Sequence, residues 1–134
     1  MEYVADTHAI IWYYYKRQRL GATALTVLTD ADAGLVKIFI PAVAVAEMIM
    51  IIQKGRLSGV TTPNLIAQLK QMQGRSNYEF LPLDPDLVIA SHRLTAIPEI
   101  FDRLIVAEAL RLGAPLITVD SVIRSSGLVN VIWN

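Results

Sequence analysis

Short β-branched and aromatic runs alternate along this chain with longer stretches whose apolar residues recur at helical spacing. That alternation predicts strands separated by helices. EYVA, residues 2–5, predicts a first strand. Residues 7 to about 19 predict a helix, with Asp6 or Thr7 placed to cap it. TALTVLTDADAG predicts a second helix stopped by Gly34, and VKIFI a second strand. Pro41 then stands at a first helical position, and AVAVAEMIMIIQKG predicts a buried helix ending near Gly55. After the loop RLSGVTTP, NLIAQLKQMQ predicts another helix and YEFLPL a strand. DPDLVIASHRL is a helix opened by acidic residues, as the helix dipole favours. EIFDRLIVAEALRLG is a further helix stopped by Gly113, APLITVD a strand, and LVNVIW a last strand.

Strands joined through helices imply right-handed βαβ units. The predicted fold is a three-layer α/β/α sandwich around a central, mainly parallel sheet. The length suits one domain spanning residues 1–134. Apolar residues make up 54% of the chain, which suits a sheet covered on both faces. In such sheets, sites form beyond the carboxyl ends of the strands.

Two acids are predicted at that rim. Asp6 ends the first strand, and Asp120 ends PLITV. Each reads either as a helix cap or as part of a site. Glu47 is the only charge between Lys37 and Lys54. A glutamate among apolar neighbours is seldom buried without a partner, so it lies either on a narrow exposed strip or against something that needs it. Asp102 shares a helix face with Ile105, Val106 and Ala109, and so points inward; the alternative is simple dipole compensation in a first turn.

Four carboxylates brought together repel one another, and burial raises their pKa values further. A divalent cation removes the conflict. Ligation by oxygen alone, with no cysteine and no well-placed histidine pair, favours Mg²⁺ or Mn²⁺ over zinc. Such an ion suits phosphodiester hydrolysis, in which it polarises the phosphate, activates the attacking water and steadies the leaving oxyanion.

These residues resemble a known family. VADTHAIIWYY, AVAVAEMIM, FDRLIVAEAL, and PLITVD followed by VNVIW are together similar to a PIN domain of the VapC-type toxin-ribonuclease branch. The resemblance runs through nearly the whole chain, in order. It implies an α/β/α fold with a parallel sheet and an Mg²⁺- or Mn²⁺-dependent ribonuclease. The acidic quartet carries over onto Asp6, Glu47, Asp102 and Asp120, as metal ligands and catalytic residues. Thr118 matches the hydroxyl residue two positions before the last acid. The chain departs from the family just before FDR. There AIPEI lacks the usual histidine and basic residue, and Glu99 stands where an aspartate would be. Glu99 reads as an auxiliary acid or a helix-start charge. The resemblance also implies homodimers and, for toxin members, an antitoxin of VapB type lying over the acidic groove.

Charge and composition bound the partners. Lys plus Arg equals Asp plus Glu at 12 each, so RNA contact requires a local basic patch. Lys16, Arg17 and Arg19 after the tyrosines, and Lys54 and Arg56 after the Glu47 helix, are the candidates; solvated helix ends are the plainer reading. The rings of Tyr13, Tyr14 and Tyr15 point in different directions and form no single stacking platform. Arg103 stands where it reaches a phosphate or pairs with a carboxylate. His8 is a remote candidate base, and His92 reads as a surface residue. Met48 and Met50, with the neighbouring isoleucines, exceed what one helix face needs, in keeping with a second subunit.

No cysteine is present, so a disulfide frame, a thiolate nucleophile and a zinc–thiolate site are excluded. The N-terminus lacks the basic segment of a signal peptide. The longest apolar stretch, 38–53, is broken by Pro41 and Glu47 and too short for a membrane span, so a cytoplasmic chain with no membrane partner is expected. The rival from another class is a binding or regulatory module of the same fold with a weak or unused metal site. A receiver would need a late-strand lysine where Asp120 stands, and an aspartyl-phosphate phosphatase an aspartate where His8 stands. No glycine-rich phosphate loop or nucleophile elbow is present.

Overall fold

A computed structural model describes all residues, 1–134. The strands are β1 (Glu2–Ala5), β2 (Lys37–Pro41), β3 (Tyr78–Leu81), β4 (Leu116–Ile117) and β5 (Val131–Ile132). They form one sheet in the order β3-β2-β1-β4-β5, with every neighbouring pair parallel. The register sets Val4 against Phe39 on one side and Leu116 on the other. The order reverses around β1, so the ends of β1 and β4 flank the switch point at which α/β sheets open a crevice.

Consecutive strand residues face opposite sides of a sheet. Val4, Ala5, Ile38, Phe39 and Ile40 are nevertheless all buried, so helices cover both faces. The helices are α1 (Thr7–Tyr15), α2 (Ala22–Asp32), α3 (Ala42–Gln53), α4 (Thr62–Gln73), α5 (Pro85–Ala90), α6 (Ile100–Leu112) and α7 (Ser121–Ser126). Strand and helix sides share one contiguous apolar core. No helix is long and apolar enough to cross a membrane.

Several local expectations are refined. The first helix ends at Tyr15, because Lys16 leaves helical geometry and a 3₁₀ turn follows at Arg17–Arg19. Pro41 is the last residue of β2 and the cap of α3, in extended geometry, and helical residues begin at Ala42. The last two strands are two residues each. Helix α7 has no counterpart in the sequence pattern: SVIRSS offers one buried residue, Ile123, too little for a visible apolar period. The apolar surplus of α3 is largely absorbed within the chain, since Met48, Ile51 and Ile52 are buried.

The tyrosines after Trp12 serve the core as well. The Tyr13 hydroxyl donates to Asp32 at 2.5 Å, and the Tyr78 hydroxyl donates to the same carboxylate at 2.6 Å. Arg75 closes the network at 2.9 Å from Asp32. These donors hold the Asp32 carboxyl below its usual pKa, against the burial that would raise it.

Candidate active site

Asp6 follows β1 directly and caps α1, its Oδ1 accepting from the Ala9 N–H at 2.9 Å. Asp120 does the same after β4, accepting from the Ile123 N–H of α7 at 2.9 Å. The two caps sit side by side because β1 and β4 are paired neighbours. Helix α3 leaves the adjacent strand β2 and brings Glu47 in from the other flank. Helix α6 brings Asp102, its neighbours Ile105, Val106 and Ala109 being buried as the helical period predicts.

The result is a pocket of about 290 Å³ whose lining includes Asp6, Glu47, Glu99, Asp102 and Asp120. Ile105 and Val119 supply apolar wall, and His8 and Trp12 close one side; no lysine or arginine lines it. The charges feel one another. Burial, then Asp120, Glu99, Glu47 and Asp6, push the Asp102 carboxyl up to about 7. Burial raises Asp6 to about 6, against hydrogen bonds from Thr118 and the Ala9 N–H that favour its charged form.

Two hydroxyls organise the acids. Thr118 is fully buried; its oxygen accepts from the Asp120 N–H at 3.1 Å, and its hydroxyl is turned on Asp6. Thr7, also buried, donates to Glu47 Oε1 at 2.5 Å. Sequence reasoning had Thr7 only as a possible helix cap. Its partner lies 40 residues away, and the sole signal was its place directly after Asp6. Glu99 is a helix-start charge, capping α6 by accepting from the Asp102 N–H at 2.9 Å, and it also lines the pocket.

The basic candidates divide. Lys16 and Arg56 line a second recess of about 370 Å³ that shares His8, Trp12 and Glu47 with the acidic pocket. Arg19, beyond the break at Lys16, joins them there. Arg17 is turned back onto α1 instead, its Nε donating to the Tyr13 carbonyl at 2.9 Å and its guanidinium 4.2 Å from the Tyr13 ring centroid. Lys54 is exposed at the end of α3 and lines neither cavity. Arg103 donates to the carbonyl of Ile97 and is absent from the pocket lining. His92 is exposed.

Comparison with known proteins agrees with the fold. A family model described as PIN domain matches residues 3–126. No curated protein sequence matches the chain. Among solved structures, VapBC2 from Rickettsia felis bound to a DNA fragment from its promoter superposes with a TM-score of 0.68, at 17% identity over 100% of both chains. FitAcB from Neisseria gonorrhoeae gives 0.64 at 15% identity, over 96% of this chain and 95% of that one. FitAB bound to an IR36 DNA fragment gives 0.61 at 18% identity, over 96% and 92%. The structural likenesses share the fold, and the family match spans nearly the full length: the chain belongs to the PIN domain family.

Proposed function

We propose that this protein is a metal-dependent ribonuclease that hydrolyses RNA phosphodiester bonds and serves as the toxin of a VapB-type toxin–antitoxin pair. The observation that carries the reading is the acidic pocket at the sheet's switch point. Five carboxylates line it, no cationic side chain does, and two of them are held well above their ordinary pKa. Family membership supports a nuclease, since PIN domains generally are nucleases that use divalent ions. The likeness to VapBC and FitAB complexes supports an antitoxin partner.

The residues fit a hard divalent ion, Mg²⁺ or Mn²⁺, because the donors are all carboxylate oxygens in a partly apolar pocket. No three of them already stand as a coordination shell, so a cation has to draw them together. Asp6, Glu47, Asp102 and Asp120 would hold it. When bound, the ion supplies charge neutralisation at the phosphate and lowers the pKa of the attacking water. Thr7 fixes the orientation of Glu47, and Thr118 ties Asp6 to the Asp120 backbone. Ile105 and Val119 limit water on one wall, which strengthens electrostatic interactions within the pocket. Water attacks the phosphorus directly, with no covalent link to the protein.

A fluorescent single-stranded RNA, incubated with Mg²⁺, Mn²⁺ or a chelator, tests the reading. Metal-dependent cleavage that disappears in Asp102→Asn supports it. No cleavage by the wild type under any metal, or cleavage by Asp6→Asn at the wild-type rate, overturns it. Tight partner binding without cleavage would identify a binding module of the same fold.

A further inference from the structure

The recess beside the acidic pocket sets cations beside an aromatic wall. It lies between α1, the 3₁₀ turn and the end of α3 with its following loop. Three cations line it, Lys16, Arg19 and Arg56, and none of them is in an ion pair. Lys37, Arg75 and Arg111 by contrast are all paired with acids. The larger groove between α5 and α6 sets Asp84 and Asp86 beside its arginines. In a chain of zero net charge, this recess therefore concentrates unspent positive charge against the one strongly acidic pocket.

The two cavities meet at His8, Trp12 and Glu47. Trp12 is only partly buried and is held by an edge contact with Trp133 at 5.9 Å. The Arg19 guanidinium lies 5.5 Å from its ring centroid. An aromatic wall beside cations is the combination that takes single-stranded nucleic acid, bases against the ring and phosphates against the charges. A volume of about 370 Å³ sits near the lower end of small-ligand pockets, roughly 300–1,000 Å³, so it admits a nucleotide of an unpaired strand and excludes a duplex.

Resting on the nuclease reading, we propose that this recess is the subsite for the nucleotide flanking the scissile phosphodiester of an unpaired RNA strand. Lys16, Arg19 and Arg56 hold its phosphate, and Trp12 forms the wall for its base. A strand whose phosphate occupies the acidic pocket must leave on one side, and this is the neighbouring hollow that attracts the next phosphate. An acidic peptide would also meet the three cations, but nothing would draw it on across Glu47 into the carboxylates. Arg19 belongs to the basic run that the sequence marks after the tyrosines, and beyond the break at Lys16 it lies over Trp12.

Anisotropy of a labelled unpaired oligoribonucleotide, titrated with protein in an Asp102→Asn background, is the test. Lys16→Gln, Arg19→Gln and Arg56→Gln should each weaken binding roughly tenfold and lower the salt slope by about 0.7. Lys70→Gln, on α4 and away from both cavities, should change neither. In the active protein the three variants should lose kcat/KM on the oligonucleotide yet cleave a dinucleotide, whose only phosphate is the scissile one and which offers the three cations nothing to hold, at the wild-type rate. Duplex RNA should compete poorly. Unchanged binding and salt slope in all three variants would overturn the proposal. So would equal losses on the dinucleotide, or selective loss of an acidic protein partner with RNA binding intact. If the wild type cuts no RNA, the nuclease reading fails; the binding arm still decides whether the recess takes RNA.

Discussion

Replacing Asp6 by Asn should stabilise the metal-free protein while abolishing its activity. Asp6 is 8% exposed, and burial raises its pKa from 3.8 to about 6. At one pH unit per 1.36 kcal/mol, the ionised carboxylate burdens the fold by roughly 3 kcal/mol. A raised carboxyl pKa means that the folded chain binds the proton more tightly than the unfolded one. Wild-type stability therefore falls as pH rises from about 4 to about 6, and is level above that. Asn carries no such burden and caps a helix as well as Asp, so the Ala9 bond survives. Allowing for a less favourable contact with Thr118, a net gain of about 2 kcal/mol is expected at pH 8, or a melting temperature roughly 5 °C higher.

The assay is thermal unfolding in chelator across pH 4 to 8, with and without added Mg²⁺. The gap between variant and wild type should be small at pH 4 and full by pH 7. Added Mg²⁺ should raise the melting temperature of the wild type and leave the variant unmoved, because only a protein that binds the ion is stabilised by it. An Asn variant no more stable than the wild type at pH 8, or a gap that does not depend on pH, would refute the claim that Asp6 is held charged against its surroundings.

Thr7→Val removes the donor to Glu47 at nearly constant shape; metal affinity should fall roughly 10–100-fold with the melting curve little changed, and Thr7→Ser should restore it. Mg²⁺ affinity, measured by calorimetry, should weaken as pH drops below about 7, where Asp102 takes up a proton that the ion must displace. Asp32→Ala strips the acceptor from Tyr13, Tyr78 and Arg75 and should cost roughly 2–3 kcal/mol by denaturant unfolding, since Asp32 is only partly exposed. Gly21→Ala should destabilise by about 1–3 kcal/mol, because the added Cβ would overlap the Trp133 backbone.

The fold and the acids were legible for a common reason. Strand, acid, helix is a local pattern, so Asp6 and Asp120 could be set on the rim from their neighbours alone. Glu47 stood out as a lone charge in an apolar helix, and Asp102 by the face that it shares with Ile105 and Val106. What stayed hidden depended on distant partners or on small breaks. The Thr7 hydroxyl acquires its meaning from a residue on α3. The direction of Arg103 is set by the carbonyl of Ile97, which periodicity does not report. Arg19 was visible as part of a basic run, but its place in the second recess, beyond the break at Lys16, was not. Helix α7 carries too little apolar surface to leave a pattern, although its cap, Asp120, was the most visible residue near it.

The contrast between Asp6 and Asp102 explains how the pocket keeps five acids without a single lysine or arginine. Asp6, Glu99 and Asp120 each cap a helix, so three helix N-termini face the pocket with their free N–H groups and positive dipole ends. Those partial charges lessen the repulsion without closing the site, as an arginine would by forming a bidentate pair. Asp102 shares the positive end of α6 but caps no helix and accepts no backbone N–H. It lies within the first turn of α6 but not at the cap, and every influence on its proton, from burial to its four acidic neighbours, pushes upward. Its carboxylate therefore has most to gain from an incoming cation, whereas the capping acids are largely held in place before one arrives. The division assigns Asp6 and Asp120 to building the pocket as well as to filling it. On the proposed metal-dependent reading, Asp102 is the group whose charge state should govern whether the pocket is loaded.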